Sequence, residues 1–469
     1  MKKIIILILT LISLLFSEEK LVLNLDNALS RAFDKNEDLL TAKQDLEGAQ
    51  YKYDEAYSSA FPRIDAKITY LRNLYSSEIS NMSYAITGLS NQITGINNYL
   101  ADNFESYSEG NRSQTPMPSE DVDAVSDNTL SMEVNLVQPI WLGGKVGTAV
   151  RIAEFYEKLS NENFLLRKDK LVLSISKLYY SVLMAKEAYN VMIVTKDDAN
   201  KNLKNIELMF NNGLVSEYDL IKAKARVLEL DPKVIEFKNK YILAQNSLKS
   251  ELGIDFKTKI DLEGKIENTN MPIISNNYAE LAENNRRELT ILDLQSKMYS
   301  ENVQIEFAGF LPNILAVGNY TFKSQNNDFA DTFEKNYGVN AISAGITANW
   351  SLFSGGETKA KVDQAKVDLK KSELSLNKTR RLLVLEAEQN YNNVKMAMAE
   401  IDSEKEFVRE AEKALKIANT RYENGLGTQL EVIDAQTSLE QARLKYVQAE
   451  YNLKVYYLDY LYSIGEIKS

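Results

Sequence analysis

The chain has 469 residues, a formal net charge of −11, and neither cysteine nor histidine. That composition excludes disulfides, thiolate or imidazole metal sites and histidine general-base catalysis. The acidic balance argues against a nucleic-acid partner, which would need a basic face.

In chain order, Met1-Lys2-Lys3, the apolar run Ile4 to Phe16 and Ser17 read as a signal peptide over 1–17. The run is shorter than the ~20 residues of a spanning helix. A first repeat is expected over 18–252. It opens on a helix from Asn27 to Ser59, where Ala28, Leu29, Ala32, Leu39, Leu40 and Leu46 recur at helical spacing. Phe61-Pro62 ends it, because proline lacks the donor a helix needs.

Beyond the proline the period becomes two. Ile64, Ala66, Ile68 and Tyr70 alternate with Arg63, Asp65, Lys67 and Thr69, and Met132, Val134 and Leu136 alternate with Ser131, Glu133 and Asn135. These imply strands at 62–72 and 130–141, joined by a long external loop at 73–129. In that loop Ile79, Met82, Ile86, Leu89, Ile93, Ile96 and Leu100 repeat at spacings of three and four. The pattern is that of an amphipathic helix. Two placements are open: meeting symmetry mates over a pore, or lying against its own loop.

Gly143-Gly144 then begins a long helix over 144–211, the Asn212-Gly213-Leu214 turn stops it, and a return helix follows over 215–252. A turn-rich connector spans 253–277. The second repeat, 278–469, reruns the order: a helix closed by Phe310-Leu311-Pro312, strands at 312–323 and 340–353, a long helix at 356–423 and a return helix at 428–462. In its strands Ile314, Ala316, Gly318, Tyr320 and Phe322 share one face, as do Ile342, Ala344, Ile346, Ala348, Trp350 and Leu352. Gly355-Gly356 and Asn424-Gly425-Leu426 lie 212 residues after their first copies (143 to 355, 213 to 425). Such invariance over diverged sequence implies rigid helical intervals of roughly 100 Å in a duplicated unit. Val394, Ile401, Val408, Leu415 and Tyr422 form a heptad seam. Its counterpart, Val182, Tyr189, Lys196, Leu203 and Phe210, is broken at Lys196.

Strands of about ten residues with one apolar face suit a transmembrane barrel, and also a half-buried soluble sheet. Four of them in an exported, duplicated chain favour the barrel, with Tyr70, Trp141, Tyr320 and Trp350 placed for an interfacial belt. Four strands cannot close alone, and open edges in hydrocarbon leave unpaired backbone groups. Twelve strands from a homotrimer is the smallest closure with a lumen. The expected fold is therefore mixed all-α plus membrane β: a homotrimeric 12-stranded β-barrel continued by a long periplasmic helical barrel.

With its proline-marked strands, the Gly-Gly pairs and the tip run from Tyr422 to Gln436, echoed from Phe210 to Lys224, the chain resembles TolC-type outer-membrane efflux channels. The resemblance covers residues 20 to 465. It implies an outer-membrane location in a Gram-negative-type cell, a trimeric exit duct, a periplasmic adaptor (membrane fusion protein) and an inner-membrane transporter, with no cofactor and no catalysis. By that resemblance, Asn212, Gly213, Leu214, Asn424, Gly425 and Leu426 dock the adaptor. Glu431 and Asp434 constrict the periplasmic mouth, with Asp219 a weaker first-repeat counterpart beside Lys222. Gly143, Gly144, Gly355 and Gly356 mark the helix–strand junctions. Gly427 stands where the best-known member carries an arginine, a departure from the closing network that uses it. Small-molecule efflux leads; polypeptide (type I) secretion uses the same scaffold. A carboxylate hydrolase is disfavoured because Glu386 and Glu388 do not face each other on a helix. A structural coiled coil has no use for the strands.

Overall fold

A computed structural model describes residues 21–74, 126–266, 273–334 and 338–467. The elements are β1 (Leu21–Leu23), α1 (Leu25–Lys35), α2 (Glu37–Ser58), β2 (Arg63–Arg72), β3 (Asn128–Leu142), α3 (Lys145–Asn211) and α4 (Glu217–Glu251). There follow β4 (Ile260–Leu262), α5 (Tyr278–Asn285), α6 (Arg287–Phe307), β5 (Asn313–Asn326), β6 (Gly338–Asn349), α7 (Glu357–Glu423) and α8 (Gln429–Ser463). They divide into two units. One is helical, built from Met1–Asp54, Ala149–Gln304 and Lys361–Ser469; the other, built from Glu55–Thr148 and Ile305–Ala360, carries a four-stranded sheet.

The sheet runs β2-β3-β5-β6 with every pair antiparallel, so β2 and β6 are its edges. Its register puts Ile64 opposite Leu136, Leu136 opposite Gly318 and Gly318 opposite Ala344. Since side chains alternate faces along a strand, Ile64, Ile68, Met132, Val134, Tyr320, Ile342 and Ile346 share one face. All seven are exposed in the single chain, Ile342 at 83%. The other face carries Asp65, Lys67, Glu133, Asn135, Asn319, Thr321 and Ser343, with Asn319 donating to Asn135 and Thr321 to Asn319. One face is built for an apolar medium and the other for water. At the junctions the backbone turns through two successive left-handed glycines, Gly143 and Gly144 at φ 65° and 88°, and Gly355 and Gly356 at 63° and 91°. Only glycine adopts that pair freely.

In the helical unit, burial repeats at the 212-residue offset. Ala153 and Ala365, Leu171 and Leu383, Ile175 and Ala387, Val182 and Val394, Ala185 and Ala397, Ala199 and Ala411, Ile206 and Ala418 are all buried. So are Leu230 and Ala442, Leu248 and Tyr460, Leu252 and Ile464. The duplication is thus one of packing as well as of landmarks. The seam break at Lys196 has a partner, Asp231 on α4, 2.7 Å away.

Three features differ from expectation. The helices expected over Asn27 to Ser59 and from Tyr278 onward are each two helices, broken at Asn36 and at Arg286. Asn36 starts α2 by accepting from Leu39 N at 3.0 Å, and Arg286 is held by Glu288 and by Ser463 O. The connector contributes β4, which pairs in parallel with β1. Tyr179 of α3 fastens that pair by donating to the carbonyls of Leu23 and Glu263. Burial, first of all, pushes its phenol up to about 12. The suggested loop helix, Ile79 to Leu100, lies outside the described residues. Among the described residues, no helix is long and apolar enough to cross a membrane.

Candidate functional site: the hairpin tips

Each long helix ends in the same way. Leu214 N donates to Met209 O at 2.9 Å and Gly213 N to Phe210 O at 2.8 Å; Leu426 N donates to Arg421 O and Gly425 N to Tyr422 O at 2.8 and 2.9 Å. These paired bonds close the last turn around a left-handed glycine, and both glycines sit at φ 71°. The preceding asparagine caps one more carbonyl: Asn212 Nδ2 reaches Leu208 O at 2.8 Å, and Asn424 Nδ2 reaches Thr420 O at 2.7 Å. Leu214 and Leu426 then stand out in solvent, 70% and 73% exposed.

The return helices start on Ser216 and Thr428 as N-caps. At the third helical position the repeats carry Asp219 and Glu431. Asp219 closes a capping box, accepting from Ser216 Oγ at 2.7 Å and Ser216 N at 3.3 Å. Glu431 faces Arg421 instead, 3.6 Å from its Nε. Asp434 lies one turn further on, exposed and, among the described residues, without an ion pair or hydrogen bond. Glu431 and Asp434 therefore share a helix face, but only one of them is uncompensated. Tyr422 lies near Asp219; burial first, and that negative charge second, hold its phenol above the usual tyrosine range.

Behind the tips, a polar cavity of about 310 Å³ is lined by Asp198, Asn205 and Met209 of α3, Asn419 and Tyr422 of α7, and Gln436 of α8. Among the described residues, several buried polar atoms around the tips have no hydrogen-bond partner: Tyr422 OH, Gln436 Oε1 and both amide atoms of Gln429. Further along the return helices the situation reverses. Arg226 and Glu440, 4% and 6% exposed, meet at 2.6 Å across α4 and α8, and Glu229 and Lys233 complete a four-charge cluster. Arg421 and this cluster were not among the expected site residues. Glu229 with Arg226 and Lys233 follows helical spacing, but the pairings of Arg226 with Glu440 and of Arg421 with Glu431 cross between helices, where no periodicity signals them.

With that geometry in place, comparison with known proteins places the chain. The family model described as outer membrane efflux protein matches residues 28–254 and 278–458. Outer membrane protein TolC of Salmonella enteritidis is 22% identical over 74% of this chain and 71% of its own. The alkaline protease secretion protein AprF of Pseudomonas aeruginosa is 23% identical over 63% and 61%. Among solved structures, the outer membrane protein VceC of Vibrio cholerae superposes with a TM-score of 0.71 at 18% identity, covering 94% of this chain and 96% of that one.

Proposed function

The chain belongs to the outer membrane efflux protein family, and from that premise we propose that three copies close a twelve-stranded barrel in the outer membrane and form a passive exit duct. The observation that carries this reading is the open sheet: among the described residues, β2 and β6 are unpaired edges, and the apolar face is uncovered. In hydrocarbon each orphaned backbone group costs several kcal/mol, so neighbours must supply the missing ladders. The tips, with Leu214 and Leu426 exposed, dock a periplasmic adaptor that connects the duct to an inner-membrane transporter. Glu431 and Asp434, with Asp219 in a lesser role, line the periplasmic mouth, where converging carboxylates favour cations. The energy comes from the transporter, so the duct needs no catalytic group.

Small molecules are the cargo this reading favours. A second reading, passage of secreted polypeptides, is supported by the similarity to AprF and to the proteases secretion protein PrtF of Dickeya chrysanthemi. The test is the native mass of the detergent-solubilised protein together with its circular dichroism. A heat-labile species of three protomers carrying a β signal is expected; a water-soluble monomer that never enters bilayers overturns the proposal.

A further inference from the structure

We propose that neighbouring copies are joined through their helices by an ion pair between Arg381 of one and Glu37 of the next. This pair reverses the polarity of the contact that joins the two repeats inside each chain. The inference rests on the duct reading above and deepens it. Within one chain, α3 and α6 form a charged seam. Arg287 of α6 reaches Asp169 of α3 at 2.7 Å and Glu162 at 3.0 Å, and Arg151 of α3 reaches Glu301 of α6 at 2.7 Å. On α2, Lys52 Nζ donates to Tyr156 OH of α3 at 3.3 Å, and Arg286, which precedes α6, reaches Glu386 of α7 at 3.4 Å. These contacts give the helix order α2-α3-α6-α7, matching the strand order β2-β3-β5-β6. The ends of that order, α2 and α7, are left for neighbours.

The duplication says what each end should meet. α7 repeats α3 at the 212-residue offset. α6 repeats α2 at an offset of 250: Glu37 and Arg287 open these helices, Pro62 and Pro312 precede the next strands, and Arg63 and Asn313 open them. Ala32 and Ala282 are both buried, as are Leu39 and Leu289. In a closed ring of alternating repeats, α7 against the next copy's α2 is therefore the equivalent of α3 against α6. Asp169 maps onto Arg381, and Arg287 onto Glu37. Both charges are exchanged, so the pair stays attractive with its sign reversed. Arg381 and Glu37 are exposed and, among the described residues, neither has an ion pair in the single chain. The exchange also specifies order. α3 set against another copy's α2 would oppose Asp169 to Glu37, and α7 against another copy's α6 would oppose Arg381 to Arg287. Like charges at those places disfavour a mispaired ring in which a repeat meets its own kind.

The thermal dissociation midpoint of the detergent-solubilised trimer tests this, in variants that transplant the residues of the intra-chain seam. Glu37→Arg and Arg381→Asp should each lower the midpoint by about 5 °C, because each sets like charges together. The two combined should recover most of the loss, since the seam then carries the polarity of Arg287 with Asp169. Added salt should lower the parental midpoint and narrow its gap to the single variants. As the chain has no cysteine, proximity can be read separately. Glu37→Cys with Arg381→Cys should give, with a short bismaleimide, a ladder of linked chains ending at three, and either cysteine alone should give none. Single variants as stable as the parent, a double variant no better than the worse single, or no linkage overturn the pairing while leaving the duct reading intact. A parental protein that never forms trimers overturns both.

Discussion

The two hairpin tips share a backbone and differ in what surrounds it. Both close on an asparagine and a glycine at φ 71°, with the same hydrogen bonds at corresponding positions. Yet the acid three residues into the return helix folds back on its own cap in one tip and reaches an arginine in the other. A turn that needs a left-handed residue tolerates little change, whereas the side chains on it are free to diverge. Duplication therefore preserved the geometry of the tips and left their charges to specialise. Further along, the repeats are stitched by residues that are not each other's counterparts: Arg226 corresponds to Ser438, and Glu440 to Leu228.

The largest effect is expected at that stitch. Glu440→Ala leaves the buried Arg226 guanidinium with only the half-exposed Glu229 as a counter-charge and should cost about 3 kcal/mol, read as a lower Tm by circular dichroism. Replacing Arg226 and Glu440 together with Met and Leu should restore most of it, because hydrophobic replacements of buried pairs are often neutral. Next come the turns themselves. Gly213→Ala and Gly425→Ala each force a Cβ into the left-handed region, at about 1–2 kcal/mol. Equal losses would confirm that the two backbones are equivalent, and unequal losses would break the comparison. Ser216→Ala removes a reciprocal cap and should cost about 1 kcal/mol; Thr428→Ala, which loses a single cap contact, should cost less.

Acid gives the smallest effect. Lys233, through its hydrogen bond, holds the Glu229 carboxyl below its usual 4.5. A carboxyl lowered in the folded state adds stability that is complete above its unfolded value and is lost as the pH falls through the folded one. The parental Tm should therefore be flat down to about pH 5 and then decline, and Glu229→Gln should decline less steeply.

Much of this fold was legible beforehand because its signals are periodic or punctual. Ile342 to Ala348 announces a strand by strict alternation, although the strand stops at Asn349 rather than continuing through the expected Trp350 and Leu352. Gly213 and Gly425 mark the tips at equal distance from their Gly-Gly pairs. The break at Asn36 was also readable: an asparagine followed by Glu37 and Asp38 is a helix start. Arg286 offers no such cap. Strands as short as β1 and β4 carry no period, so their parallel pairing could not be inferred. At the tips, the family resemblance pointed to Glu431 and Asp434, but only coordinates distinguish a carboxylate that faces an arginine from one that does not. Arg421 is ten residues from Glu431 across a turn, where helical spacing rules do not apply.

Closure by neighbouring chains is tested most directly at the open edges. The chain has no cysteine, so Ala66→Cys in β2 can be combined in turn with Ile342→Cys, Ala344→Cys and Ile346→Cys in β6 without background. In outer membranes, oxidation should give, in one register, a ladder of linked chains that stops at three. A disulfide confined within one polypeptide, a ladder ending at two, or no linkage in any register would contradict the account.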